Sequence, residues 1–434
     1  MKKLLAAALI CAAPSAAVQA AATPMQQAAA FTGALAAGDF ARASAMADPA
    51  VQGALSAATL EQLWKGLEGK YGKSDGCGAQ ELTAADVRTF CVFGGRTIAL
   101  VTPFKPGSGG ILGLYFYEAA GPYADQSLFT EEEVTVGSGE WALPGTLTLP
   151  KGEGPFPAAV LVNGSGPGNR NETMGPNRMF RDLAQGLAAR GVAVLRYDKR
   201  TLVHADKMAS VMRTFTVREE IVDDAVLAVK LLRSRKEADP RRVFVIGHSQ
   251  GGSMLPRIAA ACGADCAGFI SLAGGVEGLG DAMLRQMTYI YSLDGKITEK
   301  EQKDLDRIKA EAEAIKDPAL KPDGPILMGA GPAYWLDLRG YYPPDAAKSV
   351  GKPMLLLQGE RDYNVTMQDF AEWKKALAGS PLASFTSYPK LNHYFMEGEG
   401  PMATPAENGV PARVAPYVAD DVASWIKLKA GAGD

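Results

Sequence analysis

From about residue 130 onward, short apolar runs alternate with amphipathic stretches in a rhythm that the first 120 residues lack. Glu133 to Val136 and Thr146 to Leu149 bracket Gly137, Gly139 and Gly145, which suits an opening hairpin. Strand 158–163, helix 178–189, strand 192–196, helix 217–234, strand 242–247 and strand 268–272 follow. The strands are continuous apolar runs rather than alternating ones, the pattern of a sheet buried on both faces. Thr216 with Glu219 three residues on marks the start of the 217–234 helix as a capping box. After a gap of about 80 residues come strand 353–358, helix Met367 to Leu377 and strand Ala383 to Tyr388. Such alternation predicts an α/β architecture, a mostly parallel doubly wound sheet with its active groups on loops at the carboxyl edge. The gap holds an apolar helix, Ala282 to Tyr291, and a richly charged one, Thr298 to Ile315, and reads as an insertion over 276–345.

The earlier part of the chain is patterned differently. Helices are expected over Gln26 to Ala37, Ala41 to Met46 and Ala58 to Tyr71. Strand-like runs follow at Arg88 to Phe93, Thr97 to Thr102 and Ile111 to Tyr117, the last after a turn at Gly107-Ser108-Gly109-Gly110. Helices first and a meander afterwards predict a small α+β domain over 24–122, separated near residue 125 from a larger domain over 130–434. Two domains are also what a chain of this length requires.

The larger domain carries the chemistry. Gly247-His248-Ser249-Gln250-Gly251 follows the apolar run Arg242 to Ile246 and precedes a helical stretch, Ser253 to Ala261. That strand–turn–helix setting is what a nucleophile elbow requires: Gly247 and Gly251 permit a tight turn that lifts the Ser249 hydroxyl above the sheet edge. A serine hydroxyl needs a base, and the base an orienting carboxylate. On sheets built this way the acid and then the base follow the nucleophile in the chain. His204 precedes Ser249, and His248 is beside it, where adjacent side chains point apart; His393 remains as the base. For the acid, the strand Pro353 to Gln358 runs through Gly359 and Glu360 to Asp362, one βαβ step before His393. Asp362 follows the turn and is preferred; Glu360, inside it, is the rival carboxylate. Val160-Leu161-Val162 opens into Asn163-Gly164-Ser165-Gly166-Pro167-Gly168, a loop whose backbone can approach a tetrahedral intermediate. The expected oxyanion donors are the N–H groups of Gln250 and Ser165. The spacing of this loop fits neither a P-loop nor a dinucleotide fingerprint.

The stretch from Asn163 to Thr201, with GHSQGG at 247–252 and GERDYNVT at 359–366, resembles a bacterial group of α/β-hydrolase carboxylesterases in the serine aminopeptidase-like superfamily. In that group a small domain precedes the hydrolase, and the likeness covers nearly the whole chain after the leader. It implies an α/β-hydrolase fold with a helical cap over the acyl pocket. It implies Ser249 as nucleophile, Asp362 as acid and His393 as base in the hydrolysis of short-chain carboxylic esters. The small domain is similar to the cone-shaped nuclear-transport-factor-like domains. Asn163 departs from the pattern, since relatives generally carry His there. Met283, Met287, Tyr289, Tyr291 and Trp335 are candidates to line the pocket or to pack the cap. The same apparatus cleaves amides, so an aminopeptidase or acyltransferase is the alternative, with Glu301, Asp304 and Asp306 as candidate amine-binding carboxylates. A catalytically dead binding protein is a further rival, against which all three triad members stand.

Composition narrows the setting. The formal net charge is −3 with both signs interspersed, so the basic patch of a nucleic-acid-binding domain is absent. A small-molecule ester is the expected partner, and the chemistry needs no metal or organic cofactor. Lys2 and Lys3, the apolar Leu4 to Ala13 and the small residues Ala20 to Ala22 read as a signal peptide over 1–22; no other segment reads as a membrane span. Export to a periplasm or the medium follows, with Cys11 inside the leader. The other four cysteines fall into two local pairs, Cys77 with Cys91 and Cys262 with Cys266, which export permits to form disulfides. Metal ligation and free buried thiols are the alternatives.

Overall fold

The structure is a computed structural model describing residues 22–105 and 110–431. The expected leader, Cys11 and Gly107 to Gly109 of the expected turn lie outside the described residues, apart from Ala22.

The chain divides into two compact units, one running to Gln80 and again over Ala85–Phe116, the other comprising Glu81–Ala84 and everything from Tyr117 on. The first has three helices, α1 (Pro24–Ala36), α2 (Phe40–Ala45) and α3 (Ala57–Tyr71), then strands β1 (Ser74–Leu82), β2 (Asp86–Phe93), β3 (Arg96–Pro103) and β4 (Tyr115–Glu118) in the order β1-β2-β3-β4. Thr23 and Ser56 cap α1 and α3 by accepting backbone N–H groups with their side chains. Phe31, Leu35, Leu60, Trp64, Phe93 and Ile98 bury the helices against the sheet. Two sequence expectations need correction. Strand β1 was not foreseen, because SDGCGAQEL offers neither alternation nor β-branched residues. The expected run from Ile111 is a strand only from Tyr115; Ile111 itself makes single bridges to Ala47 and Phe104.

The second unit is built on an eight-stranded sheet. Its strands are β5 (Phe129–Val136), β6 (Leu143–Pro150), β7 (Phe156–Val162), β10 (Ala193–Tyr197), β11 (Ala238–His248), β12 (Gly268–Leu272), β13 (Met354–Gly359) and β14 (Ala383–Tyr388). A two-residue ribbon, β8 (Thr173–Met174) and β9 (Asn177–Arg178), lies outside it. The order is β14-β13-β12-β11-β7-β10-β6-β5, parallel from β14 through β10 and antiparallel at β6 and β5. Alternate residues of one strand feed opposite cores. Val160, Val162, Val243 and Val245 join the layer of α7 (Asp223–Arg233), α9 (Leu255–Cys262) and α14 (Met367–Ala376). Leu161, Phe244 and Ile246 join that of α4 (Met179–Ala188) and α15 (Pro416–Gly431). Both faces are covered, which is why these strands read as unbroken apolar runs.

The chain first steps from β7 to β10 and then returns to the other side of β7 for β11 onward. The crevice above the carboxyl ends of β7 and β11 is therefore the topological switch point, where sheets of this kind bind ligands. Between β10 and α7 run α5 (Arg200–Val203), α6 (Ala205–Ser210) and a π-helical turn over Arg218–Val222. The expected helix from 217 thus opens with a widened turn. Its capping box is modified: Glu219 accepts from both the N–H and the hydroxyl of Thr216, whose oxygen accepts from Arg218 N–H.

The insertion after β12 holds α10 (Leu279–Ser292), α11 (Glu299–Lys316), α12 (Pro332–Leu338) and α13 (Pro343–Ala347). Helices α10 and α11 pack closely enough that a Cβ on Gly280 would lie 3.1 Å from Ala312. The structure brings Cys77 to Cys91 and Cys262 to Cys266 at disulfide-bonding distance.

Candidate active site

The turn after β11 is built around glycine. A Cβ on Gly247 would lie 2.3 Å from the Gly251 carbonyl oxygen, and one on Gly251 would lie 2.4 Å from that of Val162. No side chain fits at either position, and their absence lets α8 (Gln250–Ser253) start directly beneath β7's exit loop. Between them Ser249 is forced to φ 51°, ψ −120°. A non-glycine residue in that region stores strain of about 1–3 kcal/mol, the kind held at functional sites. Ser249 is half-buried, and a Cβ on Gly164 would sit 3.0 Å from its own Cβ, so the Asn163–Gly168 loop lies against it.

Asp362 and His393 meet as expected from their positions one crossover apart. His393 Nδ1 is 2.6 Å from Asp362 Oδ2, and both residues are buried. The other carboxylate oxygen accepts the N–H groups of Asn364 (2.7 Å) and Val365 (3.0 Å), and Gln358 Nε2 donates to Oδ2 at 3.2 Å. Three donors besides the His393 ring thus hold the Asp362 carboxylate in place. Glu360 instead accepts from the Ser387 hydroxyl. The His393 loop folds onto the end of β13 because Gly359 has no side chain; a Cβ there would lie 2.5 Å from the Leu391 oxygen. Asn392 shapes the same loop, its side-chain oxygen accepting from Tyr394 and Met396 N–H. Among the described residues no hydrogen bond joins Ser249 Oγ to His393, a contact of a kind that can tighten only around a reacting group.

The expected oxyanion donors are the residue after Ser249 and the residue after Gly164, which lies against Ser249. Gln250 is the first residue of α8, whose N–H has no intrahelical acceptor, and Ser165 is exposed at the loop tip. Among the described residues neither N–H meets an acceptor. Asn163, where a histidine was expected by resemblance, is buried with Oδ1 unpartnered and Nδ2 3.4 Å from the Tyr197 carbonyl.

His248, set aside as the base because it adjoins Ser249, and Glu172, which no motif marked, form a second contact at the site. His248 is wholly buried, its Nδ1 2.8 Å from Glu172 Oε1 and its Nε2 2.9 Å from the His393 carbonyl oxygen. Both partners are acceptors, so both ring nitrogens must donate, which only the imidazolium can do. Burial opposes that charge, but the Glu172 carboxylate and the His393 carbonyl outweigh it, and His248 titrates above the ordinary histidine value. Its ring centroid is 4.5 Å from that of His393. Glu172 Oε1 also accepts the Gly164 N–H at 3.0 Å, so one carboxylate ties the elbow to the glycine-rich loop. Glu172 itself has φ 46°, a second strained position. The only local signal was a histidine inside the elbow, and nothing near Glu172 in the chain announces its partner.

The cap residues separate by role. Trp335 is buried and donates to the Leu327 and Ala330 carbonyls, packing the cap. Tyr291 donates to Asp304, and Tyr289 to the Ala403 carbonyl. Arg285 donates to the carbonyls of Tyr363 and Asn364, anchoring α10 on the Asp362 loop. Glu301 caps its own helix at Thr298, and Asp306 accepts from Gln302 one turn away. Glu301 and Asp306 thus serve partners on or beside their own helix, while Asp304 joins α11 to Tyr291 of α10.

Comparison with known proteins agrees with this architecture. Residues 159–406 match the model of the alpha/beta hydrolase family. The chain is 36% identical over 399 residues to Esterase EstD of Thermotoga maritima, covering 89% of this chain and 92% of that protein. Among solved structures it resembles Est1E from Butyrivibrio proteoclasticus at 15% identity and a TM-score of 0.44, over 69% of this chain and 99% of the other. It also resembles the esterase domain of a Rhodothermus marinus protein at 16% identity and a TM-score of 0.41, over 68% and 97%.

Proposed function

The chain belongs to the alpha/beta hydrolase family and is a carboxylic ester hydrolase, and from that premise we propose that it works through an acyl-enzyme on Ser249. In this reading Ser249 Oγ attacks the ester carbonyl carbon while His393 Nε2 takes its proton. Asp362, already bonded to Nδ1, stabilises the imidazolium without accepting the proton. The tetrahedral oxyanion lies between the N–H groups of Gln250 and Ser165. Its collapse expels the alcohol, which receives the proton from His393, and leaves the acyl group on Ser249. Water then attacks, giving its proton to His393, and the carboxylic acid departs as Ser249 is restored.

The observation that carries this reading is the buried 2.6 Å bond between Asp362 and His393 at the sheet edge that also holds the strained Ser249. Short-chain esters are the proposed substrates, on the strength of the resemblance in the Asn163–Thr201 and elbow motifs. The reading is tested with p-nitrophenyl esters from acetate to palmitate beside aminoacyl p-nitroanilides. Rates that peak at short acyl chains with silent anilides are expected. Anilide cleavage with feeble ester turnover would make the protein a peptidase instead.

A further inference from the structure

Gly164 is held from both sides. Its N–H donates to Glu172, as above, and its carbonyl oxygen accepts from Lys199 Nζ at 2.8 Å. That carbonyl and the Ser165 N–H belong to one planar trans peptide, so they point in opposite directions. An ammonium gripping the oxygen therefore sets where the Ser165 N–H points. It also polarises the peptide, which makes that N–H a stronger donor.

Lys199 is itself part of a buried chain. Its Nζ is 2.8 Å from Glu220 Oε1, and only 3% and 6% of the two side chains are exposed. Glu220 Oε2 accepts from the Tyr334 hydroxyl at 2.8 Å, and the Tyr334 oxygen accepts from Gln250 Nε2 at 2.5 Å. Burial, reinforced by the Glu220 charge, pushes the Tyr334 hydroxyl well above the usual tyrosine range, so it stays a donor. The chain thus begins at the peptide that carries one oxyanion donor and ends on the residue that supplies the other. A buried ion pair adds little stability over well-packed apolar residues, so packing alone does not account for this one. Glu220 lies in the π-helical turn, a distortion frequent at functional sites. Tyr334 comes from α12 of the cap, which makes the cap part of the same assembly.

We propose that Lys199, Glu220 and Tyr334 are positioning residues that orient the two backbone donors of the oxyanion hole, Lys199 by fixing the Gly164–Ser165 peptide and Tyr334 by holding Gln250. This rests on the donor roles given to Ser165 and Gln250 under Proposed function. The variants Lys199→Met, Glu220→Gln and Tyr334→Phe test it. Active sites are counted by fluorophosphonate titration, kcat/KM for p-nitrophenyl acetate is expressed per titrated site, and butylboronic acid serves as a tetrahedral-adduct inhibitor.

Since loss of an oxyanion donor costs about 10²–10³ in rate, misorienting one is expected to cost about 10–100-fold in kcat/KM for Lys199→Met and Glu220→Gln. The smaller Tyr334→Phe change is expected to cost about 3–10-fold, and the boronate Ki to rise by the same factor in each variant. A purely structural role would reduce the number of titrated sites and leave the Ki of the surviving ones unchanged. Should Lys199→Met fail to fold, the near-isosteric Glu220→Gln and Tyr334→Phe decide. Variants that keep wild-type kcat/KM per site, or lose it with no change in boronate Ki, overturn the inference. A wild-type protein that does not label at Ser249 overturns the reading beneath it instead.

Discussion

His248, beside Ser249 in the elbow, is held by partners from two distant parts of the chain. Its buried ring lies between Glu172 and the His393 backbone, and its other ionisable neighbours are Asp362, Tyr394 and the His393 imidazole, whose centroid is 4.5 Å away. Because its folded pKa is raised above 6.5, the stability it contributes is full below that value and is lost as pH rises through the folded pKa. Glu172→Gln should therefore lower Tm most at acidic to neutral pH, with the gap to wild type narrowing as the buffer becomes alkaline. A gap that does not change with pH would show His248 to be neutral throughout. Under the proposed mechanism Ser249→Ala should reduce turnover by about 10⁴–10⁶ and Asp362→Asn by about 10²–10⁴, since triad members act as a unit. Steady-state rates with a p-nitrophenyl ester check both. Ser249 and Asp362 were singled out because each follows an apolar strand, and His393 by elimination among three histidines; the structure brings Asp362 and His393 together. Glu172, Lys199, Glu220 and Tyr334 were not singled out, because each meets its partner across dozens of residues and no local pattern marks it.

At the level of elements, the site depends on turns that exclude side chains. Gly359 is the sharpest case, with the Leu391 and Asn392 carbonyls 2.5 and 2.6 Å from the place a Cβ would take. Both obstacles are backbone, so Gly359→Ala must displace the His393 loop. It should cost about 1–3 kcal/mol of stability, as overpacking does, together with most of the activity. Denaturant midpoints and ester turnover measure the two, and a variant with wild-type values for both would contradict the account of this turn. The central strands β7, β10, β11, β12 and β13 were legible from apolar runs buried on both faces. Strand β1 was not, because its polar, glycine-containing sequence is held by pairing with β2 rather than by its own pattern. The π-helical turn at Arg218–Val222 escaped for a related reason: the same helical periodicity serves either winding, and the Lys199–Glu220 contact is non-local.

For the whole molecule, division into a small α+β unit and a hydrolase unit was visible in the change of pattern. The units of the structure part along Gln80/Glu81, Ala84/Ala85 and Phe116/Tyr117 rather than at a single point. The cysteine pairs suit an exported protein, and no helix among the described residues is long and apolar enough to cross a membrane. If Cys77 and Cys91 are disulfide-bonded, Cys77→Ser with Cys91→Ser opens a loop of 14 residues. Its removal should cost the small unit about 3 kcal/mol, read as a lower Tm under oxidising conditions and no difference from wild type in reductant. Equal Tm values under oxidising conditions would show the pair to be unbonded. The proposed acyl-enzyme on Ser249 is put to the test by treating the protein with a fluorophosphonate and mapping the modified residue by tandem mass spectrometry. One adduct is expected, on Ser249, with esterase activity lost in proportion to labelling. An adduct elsewhere, or full activity with Ser249 modified, would contradict it.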